Sequence, residues 1–374
     1  MKKANFFNVC RLLLSIICIG LAGHSAGQPY PYKFNYLTVD EGLSHTDAND
    51  IAQDWQGYIW VATYFGLDRF DGYVTRQYYN NNDPVNNAFK NRIRCIYPDD
   101  SGKIWLGTEF GLQCFDPRTE QYTDYTGPDP KSILYFEKIY KPEGRFIYGF
   151  MDGRLDLYSI AHQTLEKVPL TLPVGVHLTD MATDRHGVIY LSSDHGLWTL
   201  DKNGRFHPVE IQGLTAINLS RVCFDEGNHL MTASANTVYV TGTKPADTND
   251  SARSVLFVRG KFDAPRTDFI RDILHDHNGN FWINNGSVLF RLDQRLQLLQ
   301  EVSRQSGPRS LNTNALTKAF IDRSQCLWVC TFGGGLNYCD LNEKLFFTFQ
   351  HEPESPNSLS GNHIRSVLED GNDL

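Results

Sequence analysis

His275-Asp276-His277-Asn278-Gly279-Asn280 is the run whose residue types most invite metal chemistry, because imidazole and carboxylate side chains stand close together. A calcium loop starting at Asp276 would need an acid at its twelfth position, where Ser287 stands. Asp, Asn and Gly are also what a tight turn requires, so the segment reads as a structural turn and no metal is assigned. Cys326 and Cys330 lie four apart, and no second Cys/His pair at zinc spacing follows them. Gly333-Gly334-Gly335 lacks the Lys and Ser/Thr that follow a phosphate-cradling loop, and reads as a hairpin turn. The carboxylates are scattered singly, so no general acid/base pair, catalytic residue or cofactor is assigned.

What positions these residues is a repeat. Asp54-Trp55-Gln56-Gly57-Tyr58-Ile59-Trp60 is followed by Gly66-Leu67 and Phe70-Asp71, and the same pattern returns from Asp99 through Gly111-Leu112 to Phe115-Asp116. Further copies centre on Gly144, Gly187, Gly227, Asp276 to Trp282 and Asp322 to Trp328, the last continuing to Gly335-Leu336. Taking Gly57, Gly102, Gly144, Gly187, Gly227, Gly279 and Gln325 as equivalent gives spacings of 45, 42, 43, 40, 52 and 46 residues, hence seven units. In the second unit Ile93 to Tyr97, Ile104 to Gly107, Leu112 to Phe115 and Tyr122 to Tyr125 read as four strands, A to D, with Asp99 to Gly102 turning the chain. Four short strands at this period predict an all-β fold, a seven-bladed β-propeller of four-stranded blades. Thr243 to Ser254 lengthens the fifth unit and is expected to form an exposed loop between its third and fourth strands.

The ends follow the same grammar. Phe34 to Leu37 with Gly42-Leu43-Ser44 resembles Phe347 to Phe349 with Ser358-Leu359-Ser360, so the amino-terminal strand is expected to pair into the last blade and cover its edge. Lys2 and Lys3, the apolar run Leu12 to Ala22 and the small residues Gly23 to Gly27 have the layout of a secretory signal peptide. The expected division is residues 1–27 signal peptide, 28–361 propeller, and 362–374 the start of a further repeat. Because the chain stops at Leu374, where a strand B should begin, it reads as a truncated product or fragment.

The formal net charge is −8, and residues 1–27 hold basic residues but no acid, so the remainder is more acidic still. That balance argues against a nucleic-acid or anionic-membrane binder, and no further apolar run is long enough to span a bilayer. An exported, periplasmic and soluble mature part is expected. Cys95, Cys114, Cys223, Cys326, Cys330 and Cys339 are too sparse for a disulfide scaffold and read chiefly as small buried residues on strands, their disulfide status open.

At Gly42-Leu43-Ser44-His45, Asp54 to Asp71, Asp99 to Asp116 and Asp322 to Asp340 the sequence resembles the two-component regulator propeller family, the periplasmic sensor part of hybrid two-component systems. The resemblance spans about residues 33 to 374, weakening where Tyr148, Tyr190 and Leu230 replace the Trp of the better copies. It implies partner modules in a full-length protein: a second propeller, a small β-sandwich, one membrane helix and a histidine kinase. It further implies sensing of glycan breakdown products.

The candidate site lies at the B–C tips, which share one rim with the D–A connections. They read Tyr64-Phe65, Glu109-Phe110, Asp194-His195 and Phe332-Gly333. Aromatic faces pack on the apolar faces of sugars and Glu, Asp and His bond hydroxyls, so Tyr64, Phe65, Glu109, Phe110, Asp194, His195 and Phe332 are the expected oligosaccharide-binding residues. The competing role for the aromatics is capping of blade edges. Asn80, Asn81 and Asn82 offer polar contacts or turn chemistry. The reading is a non-enzymatic ligand sensor; a propeller lyase or glycosidase, or a protein-binding scaffold, are the alternatives.

Overall fold

A computed structural model describes residues 32–82, 85–127, 129, 134–141, 144, 146–171, 174–201, 203–214, 218–225, 227–245, 254–265, 269–306, 309–342, 351 and 359–365. Seven antiparallel sheets form the blades of a β-propeller. In order from strand A to strand D, blade 1 comprises Ala48–Gln53, Ile59–Thr63, Gly66–Phe70 and Thr75–Tyr78, and blade 2 comprises Ile93–Pro98, Ile104–Thr108, Gly111–Asp116 and Gln121–Tyr125. Blade 3 comprises Lys138–Tyr140, Phe146–Met151, Arg154–Ala161 and Thr164–Val168; blade 4, Leu178–Thr183, Ile189–Ser193, Gly196–Leu200 and Phe206–Val209. Blade 5 comprises Arg221–Phe224, Leu230–Ser234, Thr237–Pro245 and Ser254–Asp263; blade 6, Asp272–His275, Phe281–Asn284, Leu289–Leu292 and Leu298–Val302. Blade 7 draws Leu316–Ile321, Cys326–Thr331 and Leu336–Asp340 from the end of the ring and its outer strand, Asn35–Leu37, from the beginning.

The core is a set of seams between blades. Trp60, Ala62, Leu67 and Tyr78 of blade 1 are buried against Ile93, Ile96, Ile104, Leu106 and Phe115 of blade 2. The closing seam joins Leu37 and Leu43 of the amino-terminal segment to Trp328, Cys330 and Leu336 of blade 7 and to Ile51, Ile59 and Val61 of blade 1. Strands B are largely buried on both faces for this reason, as Ile104–Thr108 shows, with all of its residues buried.

The repeat's Asp and Trp are one device. Asp54 Oδ1 accepts the backbone N–H of Gln56 and Tyr58, and Oδ2 accepts Trp60 Nε1 at 2.8 Å. The same Asp-to-indole bond joins Asp99 to Trp105 at 2.8 Å, Asp276 to Trp282 at 2.9 Å and Asp322 to Trp328 at 2.9 Å. The turn Asp therefore satisfies the only polar atom of an indole sunk in the core. In blade 4, Asp184 keeps the turn bonds to His186 and Val188 while Tyr190 replaces the indole.

Two details differ from the sequence reading. The polar segment of blade 5 is largely an extension of its outer hairpin, since pairing continues as far as Pro245 opposite Ser254; residues 246–253 lie outside the described residues. Blade 5 also gains a fifth strand, Ile211–Gln212, parallel to its strand D. The signal peptide at 1–27, the strand expected at Phe347 to Phe349 and most of the repeat start at 362–374 fall outside the described residues. Leu341–Leu374 forms a unit separate from Met1–Asp340, and in it the His351 backbone N–H bonds Asn362 Oδ1 at 2.6 Å. Among the described residues no helix is long and apolar enough to cross a membrane.

Candidate functional site

The B–C tips of blades 1, 2, 4 and 7 are shaped by the hydroxyl that ends strand B. Thr63 Oγ1 donates to the Gly66 carbonyl at 2.9 Å and accepts the Phe65 N–H at 3.1 Å. Thr108 does the same for Gly111 and Phe110, and Ser193 for Gly196 and His195. Gly66 and Gly111 have φ of +140° and +113°, a region open to glycine, which lets the chain reverse in two residues. The tip side chains are thereby pushed outward along one rim.

The structure places the candidate tip residues in separate settings. Tyr64 and Glu109 belong to one cluster: the Arg92 guanidinium lies 4.8 Å from the Tyr64 ring and bonds Glu109 at 3.1 Å, while Arg94 bonds the other Glu109 oxygen at 3.2 Å. The His45 ring lies 5.6 Å from that of Tyr64. Phe65 turns to Tyr79, 5.9 Å away, and Phe110 lies beneath the Lys90 ammonium at 5.1 Å. Asp194 accepts the His177 N–H at 2.9 Å and lies 2.7 Å from His195 Nδ1. The His195 bond, then the His177 bond, hold the Asp194 carboxyl below the usual range. Phe332 is 61% exposed at the tip of blade 7, beside Gly333, whose N–H bonds Asp47 Oδ1 at 2.7 Å.

Asn80 is fully buried, bonded to Asn91 Oδ1, Gln113 and Asp124, and thus fixes the connection into blade 2 rather than facing solvent. Asp276 spends its oxygens on the Asn280 N–H and amide and on Trp282, which makes the His275 to Asn280 run a built turn. Cys95 and Cys330 are buried in strands, where burial followed by the Asp50 charge lifts both thiols well above their ordinary value. Burial also pushes the Cys223 thiol up to about 12.

The sequence reading missed the inner wall. All seven strands A line a central cavity of about 500 Å³, and charged or polar residues near their starts face it. Asp50, Cys95, Asp180, Arg221, Asp272 and Lys318 each stand four residues before a turn Asp, with Asn49, Arg94, Thr179, Arg271 and Thr317 one step earlier. A polar residue at a fixed offset in an otherwise apolar strand was the available signal. Asp50 Oδ2 accepts the Ile96 N–H at 2.9 Å, Asp180 Oδ2 the Val222 N–H at 3.1 Å, and Asp272 Oδ2 the Ala319 N–H at 2.8 Å. Each bond crosses to the next blade. Lys138 pairs with Asp180, and Lys318 pairs with Asp272 at 2.8 Å.

These charges shape one another. Burial raises the Asp50 carboxyl, with Lys318 opposing. Burial acts to raise Asp272 too, but there the Lys318 charge and the bonds from Asn284 and Ala319 prevail and its carboxyl is lowered. The deeper wall is thus a set of compensated pairs that tie blades together.

Comparison with known proteins agrees with the repeat. Residues 89–110 match the two component regulator propeller family. A histidine kinase, P4, of Formosa agariphila is 35% identical over 81 residues, covering 22% of this chain and 6% of the kinase. The extracellular domain assigned to a hybrid two-component system of B. thetaiotaomicron superposes with a TM-score of 0.66 at 21% identity, over 91% of this chain and 46% of that domain. Virginiamycin B lyase of Staphylococcus aureus, an enzyme, superposes with a TM-score of 0.61 at 14% identity, over 83% of this chain and 100% of the lyase. The chain therefore spans less than half the length of the sensor-type proteins it matches, and at these identities the structural likeness speaks to fold.

Proposed function

We propose that this chain, which resembles the two component regulator propeller family in repeat and in fold, is the ligand-sensing extracytoplasmic propeller of a two-component signalling protein. In this reading residues 1–27 export it to the periplasm, the kinase lies in the part of a longer protein beyond this chain, and the ligand is an oligosaccharide from glycan breakdown. The observation that carries it is a polar cavity lined from all seven blades, whose Arg94 bonds the tip residue Glu109, on a rim that also carries the partly exposed aromatics Tyr64, Phe65 and Phe332. Aromatic faces supply stacking area and the polar wall supplies hydroxyl partners, the mixture a sugar needs.

Two of the inner carboxylates are engaged within the wall itself. Asp180 and Asp272 are committed to a lysine and to a backbone N–H of the next blade, which leaves neither poised to move a proton. Titrating purified protein with a glycan panel, while following products by chromatography, tests the reading. Binding without product is expected; product formation would place the chain with the propeller lyases instead. Replacing Tyr64, Phe110 and Phe332 singly by Ala should weaken binding severalfold and leave the melting temperature nearly unchanged. Loss of stability with unchanged affinity would assign these rings to blade capping.

A further inference from the structure

The mouth of the central cavity holds more cationic hydrogen-bonding capacity than the protein uses. Arg94, Arg221 and Arg271 line it from blades 2, 5 and 6. Arg221 is fixed through its Nε, which donates to the Arg271 carbonyl at 2.7 Å, and its Nη1, which donates to the Ser220 carbonyl at 3.0 Å. Its Nη2 has no partner among the described residues. Arg271 lies against Gly286, where an added Cβ would come within 2.6 Å of its Nε, so a glycine tip makes room for the guanidinium. The Arg271 side chain makes no hydrogen bond or ion pair among the described residues.

Two guanidinium groups from adjoining strands thus face one cavity with donors unspent, in a chain whose formal net charge is −8. Like charges held close repel unless an anion lies between them. Three of the acids near the mouth are committed elsewhere. Glu109 is engaged by Arg92 and Arg94, and Asp180 and Asp272 are paired with lysines deeper in the wall. Glu137, from blade 3, lines the same cavity; burial and then the Asp152 charge raise its carboxyl, while Arg221 and Arg94 oppose them.

We infer that this mouth binds an acidic group, a carboxylate or sulfate ester carried by a sugar, with Arg221 and Arg271 as its principal donors and Arg94 at its edge. A planar guanidinium pairs two oxygens of such a group at once, which a lysine or an amide does not reproduce. The inference deepens the sugar-sensing reading and names the substrate class, an acidic oligosaccharide.

Calorimetric titration of the full chain with four probes separates the two: an oligogalacturonate, a sulfated chondroitin disaccharide, neutral cellotetraose, and sodium sulfate alone. At least one acidic sugar is expected to bind, to weaken as NaCl is raised, and to lose about tenfold or more in affinity with Arg271→Gln. Arg271→Lys should recover part of that loss. Because the Arg271 side chain bonds nothing else described, the variant's melting curve should match the parent; Arg221→Lys provides a second, charge-preserving test of the fork geometry. Cellotetraose binding as tightly as the acidic sugars, or acidic-sugar binding unchanged in the arginine variants, would overturn the inference and leave the sugar reading standing. Arginine-dependent binding of sulfate with no gain from any sugar would keep the anion site and remove the sugar reading. Failure of all three acidic probes to bind would overturn the site.

Discussion

Asp276 and Trp282 show how one pair of side chains does two jobs six residues apart. The carboxylate closes the A–B turn through the Asn280 N–H and caps a fully buried indole through Nε1. Trp282→Phe keeps most of the ring but removes one of the two bonds to a buried carboxylate oxygen, leaving it the Asn280 amide, so it should cost about 1–2 kcal/mol in urea unfolding. Trp282→Ala adds a cavity and should cost about 3–5 kcal/mol. If the two variants prove equally costly, the indole bond rather than packing is what matters there. Asp68 is a different case. It is buried, its Oδ2 accepts the Ser44 N–H and hydroxyl, its Oδ1 has no partner among the described residues, and burial pushes its pKa up to about 7. The folded state therefore holds a proton that the unfolded chain releases near pH 4, and the sign follows: this residue's contribution is greatest at low pH and is lost as pH rises from about 4 to 7. Relative to Asp68→Asn, the parent should lose up to about 4 kcal/mol across that window. Chemical unfolding of both proteins at pH 4.5, 6 and 8 checks it; a constant difference would mean that Asp68 titrates in the ordinary carboxylate range.

At the scale of strands and turns, most of the fold was legible because a repeat multiplies weak local signals. Asp, Gly, Ile and Trp at fixed spacing define strand B and the turn before it, and strand limits in blade 2 agree with the residues read from sequence to within one position. What escaped was set by partners distant in sequence. Ile211–Gln212 is a strand only because Leu256 and Phe257 stand beside it. Asn80 read as either a polar ligand contact or a turn residue, yet Gln113, Asn91 and Asp124 bury it as a clamp on the incoming chain. The same clamp recurs one residue after the Leu of strand C, where Asp68 holds Ser44, Gln113 holds Asn80 and Asn337 holds Asn312. The inner wall was hidden for a related reason. A lone Asp or Lys in strand A looks like a solvated residue until seven strands are placed side by side and the positions become a ring.

At the scale of the whole molecule, a propeller must bring its last blade to its first, and here the two ends of the ring share the task. The strand Asn35–Leu37 pairs with Leu336 to Tyr338, burying Leu37, while Phe34 and Leu43 are buried beside it. Side chains and backbone then sew blade 7 to blade 1 along the whole height of the ring. Gly333 bonds Asp47 at the rim, Thr317 bonds the Ala48 carbonyl at 2.6 Å in the wall, and Arg323 Nη2 bonds the Asp54 carbonyl at 2.6 Å at the opposite turns. Gly335 is required in this closure, because an added Cβ would come within 2.5 Å of the Leu37 carbonyl oxygen. Removing residues 28–46 would leave these blade-to-blade bonds but strip blade 7 of its outer strand and expose its edge. Loss of the buried Phe34, Leu37 and Leu43 side chains costs about 1.5–3 kcal/mol each by area. The melting temperature should therefore fall by about 10 °C or more, with self-association through the bared edge visible by light scattering. A deletion variant that melts with the parent would mean that the Thr317, Gly333 and Arg323 bonds are sufficient to close the ring, and that the strand only covers an edge the ring does not need.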